Sequence, residues 1–389
     1  MLGLARKPRG KTVAVVDIGG GSAGVAILEI FRMAPMRVVV SERSVLPIGE
    51  RAEEASVAGV VAELGKAAEK ALAAYSAKRD KEGTPHVSEV YAVVRAPWTR
   101  TKTVRAMSAL PKETRVDNSM VAALAREAIQ VDTEFDHATL LEASVVRVEL
   151  NGYPTANPQG KEAKTIAVSV LLSDCRSDIR SAVAEALQRV FACPPPVFRS
   201  GVGALLWFLR ENGLLVKDAL IISMASNATS LVVVRKGVFV EIGHVLEGSW
   251  TIAHRIAGGK LPEEVFTLIR MLAKDECEGD ACEAAKAAIA RVEPDLVKVF
   301  GEAFVKMAAS QRFPNTLILL VPQDLSEWLQ HFFTRIDFAQ FTITMQPLSP
   351  IIPEMGVDRT KTSEHTLALD PGLAVACALV NTGEKLYEA

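Results

Sequence analysis

Asp17–Leu28 reads DIGGGSAGVAIL and comes directly after the apolar run Lys11–Val16, KTVAVV. Gly19, Gly21 and Gly24 satisfy G-x-G-x-x-G, the spacing of a dinucleotide-binding turn. Such a turn has to open a helix, because the pyrophosphate rests on the helix N-terminus and the third glycine lets that helix pack on its strand. The chain continues with Val25–Phe31, VAILEIF, then Ala34–Met36 and Arg37–Leu46, RVVVSERSVL. Bulky and β-branched residues on either side of a short turn favour two strands. Glu42, however, ends the second run about where a ribose-binding acid would stand, so the local sequence leaves both alternatives open.

An internal repeat decides between them. Ala14–Leu28, AVVDIGGGSAGVAIL, aligns without a gap to Leu220–Val234, LIISMASNATSLVVV. In both copies an apolar strand, a small-polar turn and a second apolar strand coincide. The second copy continues through RKG into Val238–Val245, VFVEIGHV, which is a strand, tight turn and strand. The first copy is therefore expected to be a hairpin as well. A flavin- or nicotinamide-dependent oxidoreductase using Gly19, Gly21 and Gly24 becomes the lesser reading.

The chain has 389 residues, 49% apolar and 23% charged, with a formal charge of −2. That length suggests two to three globular domains. The near-neutral charge removes the general electrostatic case for nucleic acid. No apolar run reaches the roughly 18 residues of a membrane span, and the N-terminus lacks the apolar core of a leader, so the expected place is the cytoplasm. Arg6, Lys7, Arg9 and Lys11 read as a solvated basic tail. Cys277 and Cys282 lie among acids in KDECEGDACE, and reduced thiols on a helical segment are expected there rather than a metal site. Gly10-Lys11-Thr12 imitates the end of a phosphate-binding Walker loop but precedes its strand and lacks the earlier glycine, where Ala5 stands.

Two such hairpins, each opening half of the chain, resemble the actin/Hsp70/sugar-kinase architecture. Most of the chain from about residue 12 to 380 resembles the bacterial actin homologue FtsA and relatives such as the pilus protein PilM. The resemblance implies an α/β, two-lobed fold with duplicated ribonuclease-H-like domains and an inserted α+β SHS2 subdomain. The expected divisions are 12–85 with 179–215 for the first lobe and 86–178 for the insertion, with 216–258 and 346–389 for the second lobe and 259–345 for a small helical subdomain. The turn Asn157-Pro158-Gln159-Gly160 is nearest to FtsA; on its own residues it is a loop fixed by Pro and Gly.

The same resemblance implies ATP and magnesium between the lobes, with Asp17 as the metal-side carboxylate and Gly19, Gly20, Gly21 and Ser22 as the phosphate turn. Actin-like hydrolysis needs acids facing each other across the cleft and bare backbone N–H groups at the phosphates. In the second turn Asp17 corresponds to Ser223, and the glycines to Ala225, Ser226 and Asn227. Arg199 stands where Hsp70-type relatives carry an acid. Val321, Pro322, Gln323 and Asp324 replace the glycine pair of the adenosine loop. Asp174 and Asp178 are the acids left to compensate, although acids at helix starts serve as caps. Weak or absent hydrolysis is the expectation, with binding through the first loop left open. The implied role is a scaffold in division or envelope assembly that self-associates into filaments or binds an FtsZ-like partner. A PilM-like scaffold holding a peptide of a membrane protein is the alternative. After the last element only NTGEKLYEA remains, too short and acidic to lie on a bilayer, so membrane contact is expected to be indirect.

Overall fold

The computed structural model describes residues 11–31, 34–47, 56–78, 86–216, 218–258, 261–309, 312–353 and 369–381. The basic-tail residues Arg6, Lys7 and Arg9 and the end of NTGEKLYEA lie outside the described residues.

The first sheet has the order β3-β2-β1-β4-β9, from β1 (Lys11–Ile18), β2 (Ser22–Phe31), β3 (Ala34–Val45), β4 (Glu89–Val94) and β9 (Val197–Ser200). The second repeats it as β12-β11-β10-β13-β14, from β10 (Ala219–Met224), β11 (Thr229–Arg235), β12 (Val238–Val245), β13 (Thr316–Leu320) and β14 (Ser349–Ile351). In each sheet the first strand pairs antiparallel with the second and parallel with the fourth. The registers agree residue for residue: Asp17 faces Gly24 in one hairpin and Ser223 faces Ser230 in the other. VAILEIF is thus strand, and the oxidoreductase reading falls, because no helix opens after Gly21 to receive a pyrophosphate.

Central strands buried on both faces explain the unbroken apolar runs. Ala14, Val16 and Ile18 of β1 pack under α1 (Val57–Lys78) and α3 (Ser177–Phe191). Val13 and Val15 point the other way, into a core shared by both lobes. It holds Ile221 of β10 and the helices α4 (Gly201–Glu211) and α9 (Pro371–Cys377). Since side chains alternate along a strand, Asp17 falls on this inner face, as does Ser223.

The outer face of the second sheet is covered by α5 (Ser249–Ala257), α6 (Pro262–Ala273), α7 (Asp280–Ala308) and α8 (Gln323–Arg335). Of these, α7 and α8 meet in a phenylalanine cluster in which Phe304 contacts Phe313 at 5.3 Å and Phe338 at 5.0 Å between ring centres. A third, four-stranded sheet, β5-β8-β6-β7, holds β5 (Thr99–Arg115), β6 (Leu140–Leu150), β7 (Tyr153–Thr155) and β8 (Glu162–Cys175), with α2 (Asn118–Gln130) on its apolar face.

The structure departs from the sequence expectation at three places. β4 falls inside the range expected for the insertion, but its apolar Val90, Val93 and Val94 make it a buried parallel strand beside β1 in the first sheet. β13 falls inside the range expected for the helical subdomain but pairs with β10 in the main sheet for the same reason. Cys277 and Cys282 are not reduced thiols: they form a disulfide that ties the α6–α7 turn to the first turn of α7, with Cα atoms 5.7 Å apart. Asp117 caps α2 by accepting from the Met120 amide at 2.9 Å. Ser56 caps α1, accepting from the Gly59 amide at 3.2 Å. Among the described residues no helix is long and apolar enough to cross a membrane.

Candidate functional site: the cleft between the duplicated hairpins

Both hairpin turns are closed by the same hydrogen bond. The Gly19 amide donates to the Ser22 carbonyl at 3.0 Å, and the Ala225 amide to the Ala228 carbonyl at 2.9 Å. The turns touch across the cleft. Ser22 Oγ and Ser226 Oγ are 2.8 Å apart, and a Cβ on Gly21 would collide with Asn227 Oδ1. Trp98 Nε1 donates to the Gly19 carbonyl at 3.1 Å and fixes the first turn from behind.

Asp17 ends β1, 3% exposed. Its Oδ2 accepts from Arg43 NH2 at 2.8 Å, and its Oδ1 accepts from Arg95 Nε. Arg43 also reaches Ser22 Oγ at 2.8 Å and Asp370 Oδ1 at 2.7 Å, while Arg95 NH2 donates to the Gly372 carbonyl at 3.1 Å. The cluster therefore joins the ends of β1 and β3, the residue after β4 and the cap of α9. Burial by itself pushes the Asp17 carboxyl up, but Arg95 and Arg43 outweigh it and hold the group below its ordinary value. Asp370 and Asp17 likewise raise the Arg43 guanidinium against its desolvation.

Strand register brings these groups together. Asp17 lies opposite Gly24, and Gly24 opposite Arg43, in one row across three strands. Without a side chain at Gly24 the guanidinium crosses the row, since a Cβ there would sit 2.7 Å from Arg43 NH2. Gly372 opens the opposite wall, where a Cβ would collide with Asp17 Oδ2.

On the second lobe, the Ser249 and Trp250 amides at the start of α5 are taken up by the carbonyls of Ala225 and Ser226, each at 2.9 Å. Pro322 caps α8 and lines the cleft with Asp324, which pairs with Arg270 at 2.8 Å. The remaining space is about 250 Å³, bounded by Asp17, Ser22, Arg43, Arg95, Trp250 and Phe266 among others. That is below the roughly 300–1,000 Å³ of ordinary small-molecule sites.

A magnesium-bound nucleoside triphosphate does not fit this arrangement. Both Asp17 oxygens are held by guanidinium, the two turns meet where phosphates would separate them, and the α5 amides face their own chain. Among the described residues no group of three or more His, Cys, Asp or Glu is placed to hold a metal ion. Asp17, Gly19 and Ser22 line the cleft, Gly21 meets Asn227 of the opposite turn, and Gly20 stands between Gly19 and Gly21 in the first turn. Asp174 is held by Arg100 and Asp178 by Arg176, and neither lines the cleft. Arg199 lies on β9. Arg43 and Arg95 belong to no sequence motif, Arg43 being marked only by its hairpin-register position opposite Gly24. Asp370 stands before Pro371 as an Asp–Pro helix start.

No protein-family model matches the sequence, and no curated protein matches it. Among solved structures, the chain is similar to one in a PilM–PilN type IV pilus biogenesis complex, at 15% identity and a TM-score of 0.55, over 97% of this chain and 99% of that one. The ethanolamine utilization protein EutJ of Carboxydothermus hydrogenoformans aligns at 9% identity and TM-score 0.44 over 97% and 91%. Component A of (R)-2-hydroxyglutaryl-CoA dehydratase from Acidaminococcus fermentans aligns at 7% and 0.38 over 95% and 97%. At these identities likeness speaks for architecture alone. By its duplicated sheets and its end-to-end match to the pilus-complex chain, this protein has the actin-like ATPase fold.

Proposed function

We propose that this chain is a cytoplasmic scaffold of the PilM type, which holds a peptide of a membrane-anchored partner in a pilus or secretion assembly and does no ATP chemistry. The single observation that carries this reading is the full-length correspondence with the chain from the PilM–PilN complex. The cleft supports it, because its carboxylate is taken up by Arg43 and Arg95. In this reading the four-stranded sheet with α2 is the SHS2-type insertion, and membrane contact runs through the partner. The test is calorimetric titration of the full chain, without nucleotide, with synthetic peptides from the cytoplasmic ends of single-span membrane proteins encoded beside it. One peptide is expected to bind with a dissociation constant of about 1–10 μM. Absence of binding by the whole set overturns the reading.

A division scaffold of FtsA type, forming filaments or meeting an FtsZ-like partner, is the second reading. It is favoured by the Asn157–Gly160 turn, whose Gly160 amide donates to the Val116 carbonyl at 2.7 Å and locks the insertion's tip. Nucleotide at Gly19, Gly20, Gly21 and Ser22, with magnesium at Asp17, belongs to this reading and requires both arginines to leave the carboxylate. Co-sedimentation with and without ATP separates the two, filaments favouring the second.

A further inference from the structure

The cleft of a two-lobed clamp ordinarily needs a bound group to bring its jaws together, since two polar turns facing each other across water gain little by meeting. Here the turns already meet through Ser22 and Ser226, and the charges beside the first turn are paired with one another. Two carboxylates, Asp17 and Asp370, face two guanidiniums, Arg43 and Arg95, all within hydrogen-bond reach of a partner in the cluster. Ser22 belongs to both parts: its hydroxyl accepts from Arg43 and contacts Ser226 of the other turn. The space for this cluster is built in, because a Cβ at Gly24 or Gly372 would collide with Arg43 or Asp17. Arg43 lies on the first sheet, and Asp370 caps the helix that returns to it at the chain's far end, so the pair closes a contact spanning 327 positions.

We propose that Arg43 and Arg95 are a resident cationic group that stands beside Asp17 in place of a bound metal, so that the first turn is held for its contact with Ser226 by the chain's own charges, through Ser22, and nucleotide has no part in closing the cleft. The inference stands on the cleft geometry and is independent of the peptide-binding reading, so either can fail alone.

Hydrogen exchange and thermal melting of the full chain test it, with and without about 1 mM Mg-ATP or Mg-ADP. The amides of Gly19–Ser22 and Ala225–Ala228 are expected to be slow without nucleotide and unchanged with it, and the melting temperature to move by less than about 1 °C. A binding site near 10 μM would shift it by roughly several degrees at that concentration. The double variant Arg43→Ala/Asp370→Ala, which leaves Asp17 paired with Arg95, is expected to speed exchange at both turns about tenfold or more while leaving the Phe304 region of α7 unaffected. Turns that exchange freely until Mg-ATP slows them, a nucleotide-dependent rise in melting temperature, or unchanged turn exchange in a folded double variant each overturn the proposal. Should the double variant fail to fold, the wild-type comparison decides alone.

Discussion

A carboxylate at the end of an inner-face strand suits a hydrated cation. With Arg95 and Arg43 on its two oxygens, Asp17 is instead a structural ion, and removing one partner of a buried pair leaves the other charge stranded. Asp17→Asn is expected to cost about 3 kcal/mol of unfolding free energy, read from urea melts at pH 7. Because the folded carboxyl titrates below its ordinary value of 3.8, its stabilisation is complete above that pH and is lost as acid carries the solution down through the folded value. The variant's melts are expected to lack that acid limb; an equally steep acid limb in both proteins would refute the pairing.

At the scale of elements, the hairpins are readable in the sequence because β-branched apolar runs and a gap-free repeat are local properties, and the observed registers coincide across both copies. The arginine cluster is unreadable because it is formed by lateral register over three strands and by a helix cap more than three hundred residues away. β4 is hard to place because a buried parallel strand looks the same in sequence whichever sheet receives it. The α6–α7 turn misleads because acids around Cys277 and Cys282 describe solvent exposure and say nothing of whether the sulfurs meet. Closing so short a loop removes unfolded-state entropy worth about 2 kcal/mol. Reduction, or Cys277→Ser/Cys282→Ser, is expected to lower stability by that amount or less, measured by denaturant melts with and without a dithiol. A loss well above it would assign the bridge a larger role in holding α6 on α7.

Over the whole molecule, the four-stranded sheet is tied to the start of α4 through Glu142 on β6. Its carboxylate accepts from the Ser200 amide at 3.3 Å and hydroxyl at 3.1 Å, at the start of α4. Burial pushes the Glu142 carboxyl up, against the opposing pull of Arg199 and the serine contacts. A raised folded value means the contribution is complete below the ordinary 4.5 and is lost as pH rises through the folded value. Glu142→Gln is therefore expected to gain on the wild type as pH climbs from about 4 to about 8 in paired melts; a constant difference would show that the group does not titrate in that range.

Of the elements that enclose the first lobe, α9 is the last to be made. Leu373, Ala374, Val375 and Ala376 are almost wholly buried against the inner face of β1 and β2 and against α4. During synthesis at about 5–20 residues per second, some 15–65 s separate Arg43 leaving the ribosome from Asp370. Throughout that interval the part of the apolar wall that α9 covers stays open, so the first lobe cannot complete its core before the residues after Asp370 have been made.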